Sequence, residues 1–135
     1  RAKGAQPFGA VLTRDGQRIA TGVNEIVQTC DPTSHAEMQA VRAASAALKQ
    51  PRLDGCVVYA SGYPCPMCLA AMVGSGIETV YYAFDNADAA PYDMSSDAAY
   101  AALGLALEPT PVPLIRVDTE VTAAQMYGDA PANAD

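Results

Sequence analysis

Apolar residues along this chain fall into runs of strand length broken by polar turns, with two stretches at helical spacing between them. Phe8-Gly9-Ala10-Val11-Leu12-Thr13 reads as a strand. Asp15-Gly16 is a hairpin turn signal, since both residue types tolerate positive φ. Arg18 to Asn24 can then return antiparallel. Asp31-Pro32-Thr33-Ser34 breaks that strand and opens a helix from Ser34 to about Lys49, Ala-rich, with Met38, Val41 and Leu48 at helical spacing. Pro51 stops it. Gly55 to Ala60 is a continuous apolar run, which suits a central strand covered on both faces. Pro64-Cys65-Pro66 starts a second helix that runs to about Val73, and Gly74-Ser75-Gly76 ends it. Ile77 to Phe84 is the next strand.

The order β-β-α-β-α-β predicts an α/β sheet with an antiparallel edge hairpin and a parallel centre. Beyond Phe84 the pattern weakens. Asp85 to Asp97 reads as a loop and Asp97 to Leu107 as a helix. Pro109, Pro111 and Pro113 exclude regular structure, Leu114 to Val117 is a final short strand, and the chain frays from about Gly128.

At 135 residues, half of them hydrophobic, residues 1–135 are expected to form one domain with a buried core. The chain has no initiator Met and starts almost directly in a strand, so we expect a natural N-terminal helix to be missing. No apolar run is long enough to span a membrane, and no secretion signal is visible. The four cysteines are therefore expected to be reduced, in a cytoplasmic protein, with Cys30 and Cys56 as free thiols. The net charge is −7, and the eight Lys and Arg are scattered. Phosphate contacts dominate nucleic-acid affinity, so an acidic domain without a basic face predicts no nucleic-acid partner. It leaves a small neutral ligand open.

The chemistry lies at the two helix starts. His35, the only histidine, opens His35-Ala36-Glu37, and Pro64-Cys65-Pro66-Met67-Cys68 follows about thirty residues later. Helix N-termini carry unpaired N–H groups and partial positive charge, which favour a thiolate. Cys65 and Cys68, three apart, face one side. The two starts converge if their helices follow adjacent parallel strands. Imidazole plus two thiolates make a three-ligand zinc site, one ion per chain, with a position left for water. Zinc lowers the pKa of that water to about 7. Glu37, two residues beyond a ligand, can pass a proton to a ring nitrogen and to a leaving amine. His-x-Glu followed by Pro-Cys-x-x-Cys is the known signature of zinc deaminases that act on nucleobases.

Each motif also has a plainer reading. Ser34 and Glu37 have the spacing of a capping box. Cys65 and Cys68 alone could be a redox pair. A structural zinc site would want a fourth ligand, and neither Cys30 nor Cys56 sits at a matching spacing.

From Pro7 to Phe84 the chain resembles the cytidine-deaminase-like superfamily, specifically its guanine-deaminase-like branch. Pro7-Phe8-Gly9-Ala10-Val11, Gly22-Val23-Asn24, Asp31-Pro32-Thr33-Ser34-His35-Ala36-Glu37 and Pro64-Cys65-Pro66-Met67-Cys68-Leu69-Ala70-Ala71-Met72 carry the resemblance. It implies a three-layer α/β/α sandwich around a mixed five-stranded sheet, hydrolytic deamination and a homodimer. It also implies that Asn24 hydrogen-bonds the base, that the Ala36 N–H positions the reacting group, and that Phe8 lines the pocket. Two positions depart from the branch. Tyr63 stands before Pro64-Cys65 where relatives commonly carry Glu. The acidic residue expected after an aromatic in the C-terminal part has its nearest match in Asp93 after Tyr92, with Asp97 as the alternative. The substrate expected is a free nucleobase or related amino-heterocycle: a guanine-like purine, a modified base, cytosine or an s-triazine. Two alternatives are a tRNA adenosine deaminase and a catalytically degenerate, zinc-stabilised interaction domain. The second helix, apolar nearly all round from Met67 to Val73, independently points to a dimer contact.

Overall fold

Asp15 and Gly16, both left-handed with φ of 53° and 76°, turn the chain back on itself. Strands β1 (Gly9–Arg14) and β2 (Gln17–Val23) therefore pair antiparallel, Leu12 opposite Ala20 and Ala10 opposite Gly22. The computed structural model describes residues 7–105 and 110–128. β3 (Cys56–Gly62) lies antiparallel to β1 and parallel to β4 (Thr79–Phe84), and β5 (Leu114–Arg116) extends the parallel side. The sheet order is β2-β1-β3-β4-β5. It is the mixed five-stranded sheet the resemblance implies, with the antiparallel edge hairpin the pattern predicts and β3 at its centre.

The helix α2 (Ala36–Leu48) and the helix α3 (Pro66–Ser75) pack on the same face of this sheet. Ala10, Leu12, Val58, Ala60 and Val80 point at them and are buried. α2 can lie close because its inner face is alanine: Ala36, Ala40 and Ala44 are fully buried. The strand beneath it contributes Gly22, where any Cβ would collide with the backbone of Ala36 and Ala40. Lys49, left-handed at φ 55°, ends α2 before Pro51, and Gly76, at φ 87°, ends α3. On the opposite face Tyr59 and Tyr81 stack at 5.0 Å, and Tyr59 keeps 46% of its surface exposed. β3 is thus central in the sheet but sealed on one face only among the described residues, contrary to the two-sided covering expected for it.

Further corrections concern helices. Ile26–Thr29 forms a single turn, α1, between β2 and α2, which the sequence reading omits. Asp85–Asp97, expected as a loop, contains the helix α4 (Asn86–Ala89) and a 3-10 turn at Ala90–Tyr92. Asp85 and Asp88 cap α4 reciprocally, a short-range signal that the apolar pattern does not carry. The helix α5 (Asp97–Ala102) starts where expected but stops well before Leu107, at a turn where Gly104 takes φ 66°. Another short helix, α6 (Ala123–Tyr127), is capped reciprocally by Thr122 and Gln125. Tyr127 on it is buried against Phe8, Phe84 and Tyr92, so α4 and α6 gather at one end of the sheet. The frayed tail expected from Gly128 lies, past Gly128 itself, outside the described residues.

Two glycines should respond oppositely to alanine. Gly22→Ala must push α2 outward and is expected to cost about 2 kcal/mol, as overpacking does. Gly74→Ala meets nothing within 4 Å in the last turns of α3 and should stabilise by about 0.5–1 kcal/mol. Urea melts of the two variants read both signs.

Candidate metal and catalytic site

α2 and α3 both begin with a metal-ligand candidate in the capping position. His35 is the N-cap of α2, with extended backbone at φ −71° and ψ 156°. Ser34, expected as the cap, instead accepts a hydrogen bond from the Thr29 hydroxyl at 3.2 Å. The capping-box reading of Ser34 and Glu37 therefore fails: the helix starts one residue later and Glu37 falls at its second position. Cys65 is the N-cap of α3, with Pro66 at the first helical position, and its sulfur accepts from the Cys68 N–H at 3.5 Å.

The two starts meet, though not from adjacent strands. β2 and β3 are each antiparallel to β1, so they run the same way with β1 between them. The helices that follow them then begin at the same end of the sheet. His35 Nδ1 lies 3.5 Å from Cys65 Sγ and 3.6 Å from Cys68 Sγ. Ligand bonds of about 2.3 Å for sulfur and 2.0 Å for nitrogen, set tetrahedrally, put ligand atoms about 3.6 Å apart. The spacing therefore fits zinc. Among the described residues, these three are the only His/Cys/Asp/Glu group of three or more with ligand atoms mutually within 4.8 Å. Cys30, exposed, and Cys56, buried at the start of β3, stand apart from it as free thiols.

Electrostatics at the group are polarised. Hydrogen bonds from Cys68 and then from His35 hold the Cys65 thiol down at about 4. Cys68, donating to Cys65 and buried, is shifted up. The Glu37 carboxyl is buried and pushed up to about 7, chiefly by that burial. A carboxyl near that value takes up and releases a proton at neutral pH.

A cavity of about 280 Å³ opens from these residues. Phe8, Asn24, His35, Ala36, Glu37, Tyr63, Cys65 and Asp93, all singled out in the sequence, line it. Cys68 lies behind, fully buried. Asn24 is buried just past the end of β2; its N–H donates to the Phe8 carbonyl and its Oδ1 accepts from Ile26 N–H. Tyr63 meets the rings of Tyr82 and Tyr100 edge-on. Asp93 reaches the cavity from a left-handed position, φ 58°, whereas Asp97 does not line it and accepts from Asn86 instead. Ile26, Gly62, Met94, Ser95, Ser96 and Ala99 complete the lining. None of these carries chemistry that would mark it in a sequence; only the fold brings them here.

Residues 1–84 match the family model described as the cytidine and deoxycytidylate deaminase zinc-binding region. The chain belongs to this deaminase family. It is 39% identical over 111 residues to the guanine deaminase of Bacillus subtilis (strain 168), across 82% of this chain and 71% of that protein. A solved structure of guanine deaminase from Bacillus subtilis superimposes with a TM-score of 0.71 at 38% identity, covering 84% of this chain and 73% of that one. The tRNA-specific adenosine deaminase of Aquifex aeolicus (strain VF5) is 40% identical over 80 residues. That match takes in 59% of this chain and only 53% of the tRNA enzyme. The expected fold class and the expected hydrolytic deaminase chemistry both follow from this membership. Among the described residues, no helix is long and apolar enough to cross a membrane.

The three ligand candidates of the deaminase can be tested directly. His35→Ala, Cys65→Ser and Cys68→Ser should each abolish stoichiometric zinc by atomic absorption and lower the melting temperature, since metal binding also stabilises the fold. A Cys68→Ser protein that keeps one zinc per chain would contradict three-ligand coordination.

Proposed function

We propose that this deaminase releases ammonia from a free nucleobase or closely related amino-heterocycle, of the guanine type before the others. The observation that carries the reading is the cavity itself. It is small for a ligand site, it closes on the candidate zinc ligands and the buried Glu37, and among the described residues it is lined by no Lys or Arg. A planar base fits such a site, while a phosphate backbone would find no cation there. The likeness to guanine deaminase over most of both chains supports the same substrate class.

In this reading His35, Cys65 and Cys68 hold one zinc per chain. When bound, the metal supplies hydroxide at neutral pH by lowering the pKa of water. Over the reaction a C–O bond from water forms, the exocyclic C–N bond breaks, and ammonia leaves. Glu37 moves the protons: one to the ring nitrogen as the carbon becomes tetrahedral, one to the departing amine. The Asn24 amide orients the base, and the Ala36 N–H faces the reacting group. Phe8 and Tyr63 bound the ring plane. Asp93, at the cavity rim, accepts from an amino group of the base. The same reading includes a homodimer through the outer side of α3, where Ala70 and Val73 are exposed. Light scattering should then give twice the chain mass of 14.0 kDa.

Ammonia release from guanine, adenine, cytosine and an s-triazine, with zinc-replete protein, tests the substrate; silence across the panel would overturn the proposal. Glu37→Gln should keep zinc and lose 10²- to 10⁴-fold in kcat, about what one acid–base group contributes. Tyr63→Phe should change kcat/KM unequally across the panel, because losing one hydrogen-bonding group penalises only the ligands that used it. The tRNA-adenosine reading draws on the Aquifex aeolicus relative. Filter binding decides it, since tight, salt-sensitive tRNA retention would favour it over the free base.

A further inference from the structure

Cys65 ends an extended turn, Tyr63-Pro64-Cys65, that joins β3 to α3. The Tyr63 N–H is tied to the Phe84 carbonyl at 2.9 Å. Pro64 has no N–H, so its carbonyl is the backbone handle by which this residue can be held. That carbonyl accepts from the Tyr100 hydroxyl at 2.6 Å, across thirty-six residues of chain. Tyr100 is only 3% exposed, and Pro64 is among the fully buried side chains. No water can replace this bond easily, and deleting the donor leaves a buried carbonyl unsatisfied. Burial also raises the Tyr100 pKa, which keeps the hydroxyl a donor at any working pH.

α5, which carries Tyr100, has six residues and would be a weak support by itself. Its start is anchored. The buried Asn86 amide oxygen accepts from the Ser96 N–H at 2.9 Å and from the Ser96 hydroxyl at 3.1 Å, and the amide nitrogen donates to Asp97 at 3.1 Å. Neither Asn86 nor Tyr100 lines the cavity. Both lie in the C-terminal part, past the 1–84 stretch that matches the family model.

We propose that Tyr100 is a positioning residue for the metal ligand Cys65: anchored through Asn86, its hydroxyl fixes the Pro64 carbonyl and so sets the direction in which the Cys65 sulfur points toward His35. The proposal rests on the zinc reading of His35, Cys65 and Cys68.

Tyr100→Phe removes one oxygen and keeps the ring. Zinc release from the loaded protein into a chelator should quicken on the order of tenfold, as with other residues that orient a ligand. The thiolate-to-metal absorption band of the Co(II)-loaded protein should shift. Both are read at a temperature where far-UV circular dichroism shows each protein folded. Asn86→Ala should move both readouts the same way by less, and the double variant should be no worse than Tyr100→Phe, since the two act through one bond. A Tyr100→Phe protein with wild-type zinc release and an unchanged Co(II) spectrum overturns the proposal and leaves the zinc reading standing. Fully additive effects of the two substitutions overturn it as well. Wild-type protein that binds neither metal overturns both.

Discussion

Two sulfurs held within 3.6 Å of one imidazole nitrogen repel a carboxylate and resist burial. The rest of the structure is arranged around that constraint. The positive ends of two helices converge on the group and offset its negative charge. Convergence needs α2 close to the sheet, which the alanine face and Gly22 permit. A methyl group at that one strand position would lift α2, and His35 with it, away from the cysteines. Glu37, next to this charge, is buried, so its proton is held more tightly than in water.

The N-terminal two thirds of this arrangement were legible because each device there has a local signature. Asp15-Gly16 marks the hairpin, Pro64-Cys65-Pro66 marks a helix start, and the one histidine stands two residues before a glutamate. What spacing could not show was the strand arrangement. β1 runs between β2 and β3, so the two helix starts share an end of the sheet without following neighbouring strands. Ser34 was a better cap by residue type than His35, and tertiary contacts decided otherwise: its hydroxyl is engaged with Thr29.

Past Phe84 the signals change character. α4 and α6 are too short for an apolar period to emerge, and each is set by a pair of reciprocal caps three residues apart. Their contribution to the site is also indirect. Tyr127 and Tyr92 build an aromatic end-wall with Phe8, while Ser95, Ser96 and Ala99 supply cavity surface with no reactive group. Residues of this kind are assigned by shape, and shape exists only after folding. The resemblance reached Asp93 on one aromatic-acidic pair, with Asp97 as the alternative; of the two, Asp93 borders the cavity and Asp97 is engaged by Asn86.

Asp93 holds a left-handed backbone at the rim of the cavity. Few side chains adopt that conformation cheaply; Gly, Asn and Asp are the usual ones. Asp, Asn and Gly would each keep the loop at low cost, offering a carboxylate, an amide or no side chain. These differ in what they offer a ligand, an acceptor only, a donor and acceptor together, or an enlarged opening. The turn thus lets the group at the cavity be exchanged among these three while the backbone beneath keeps its conformation.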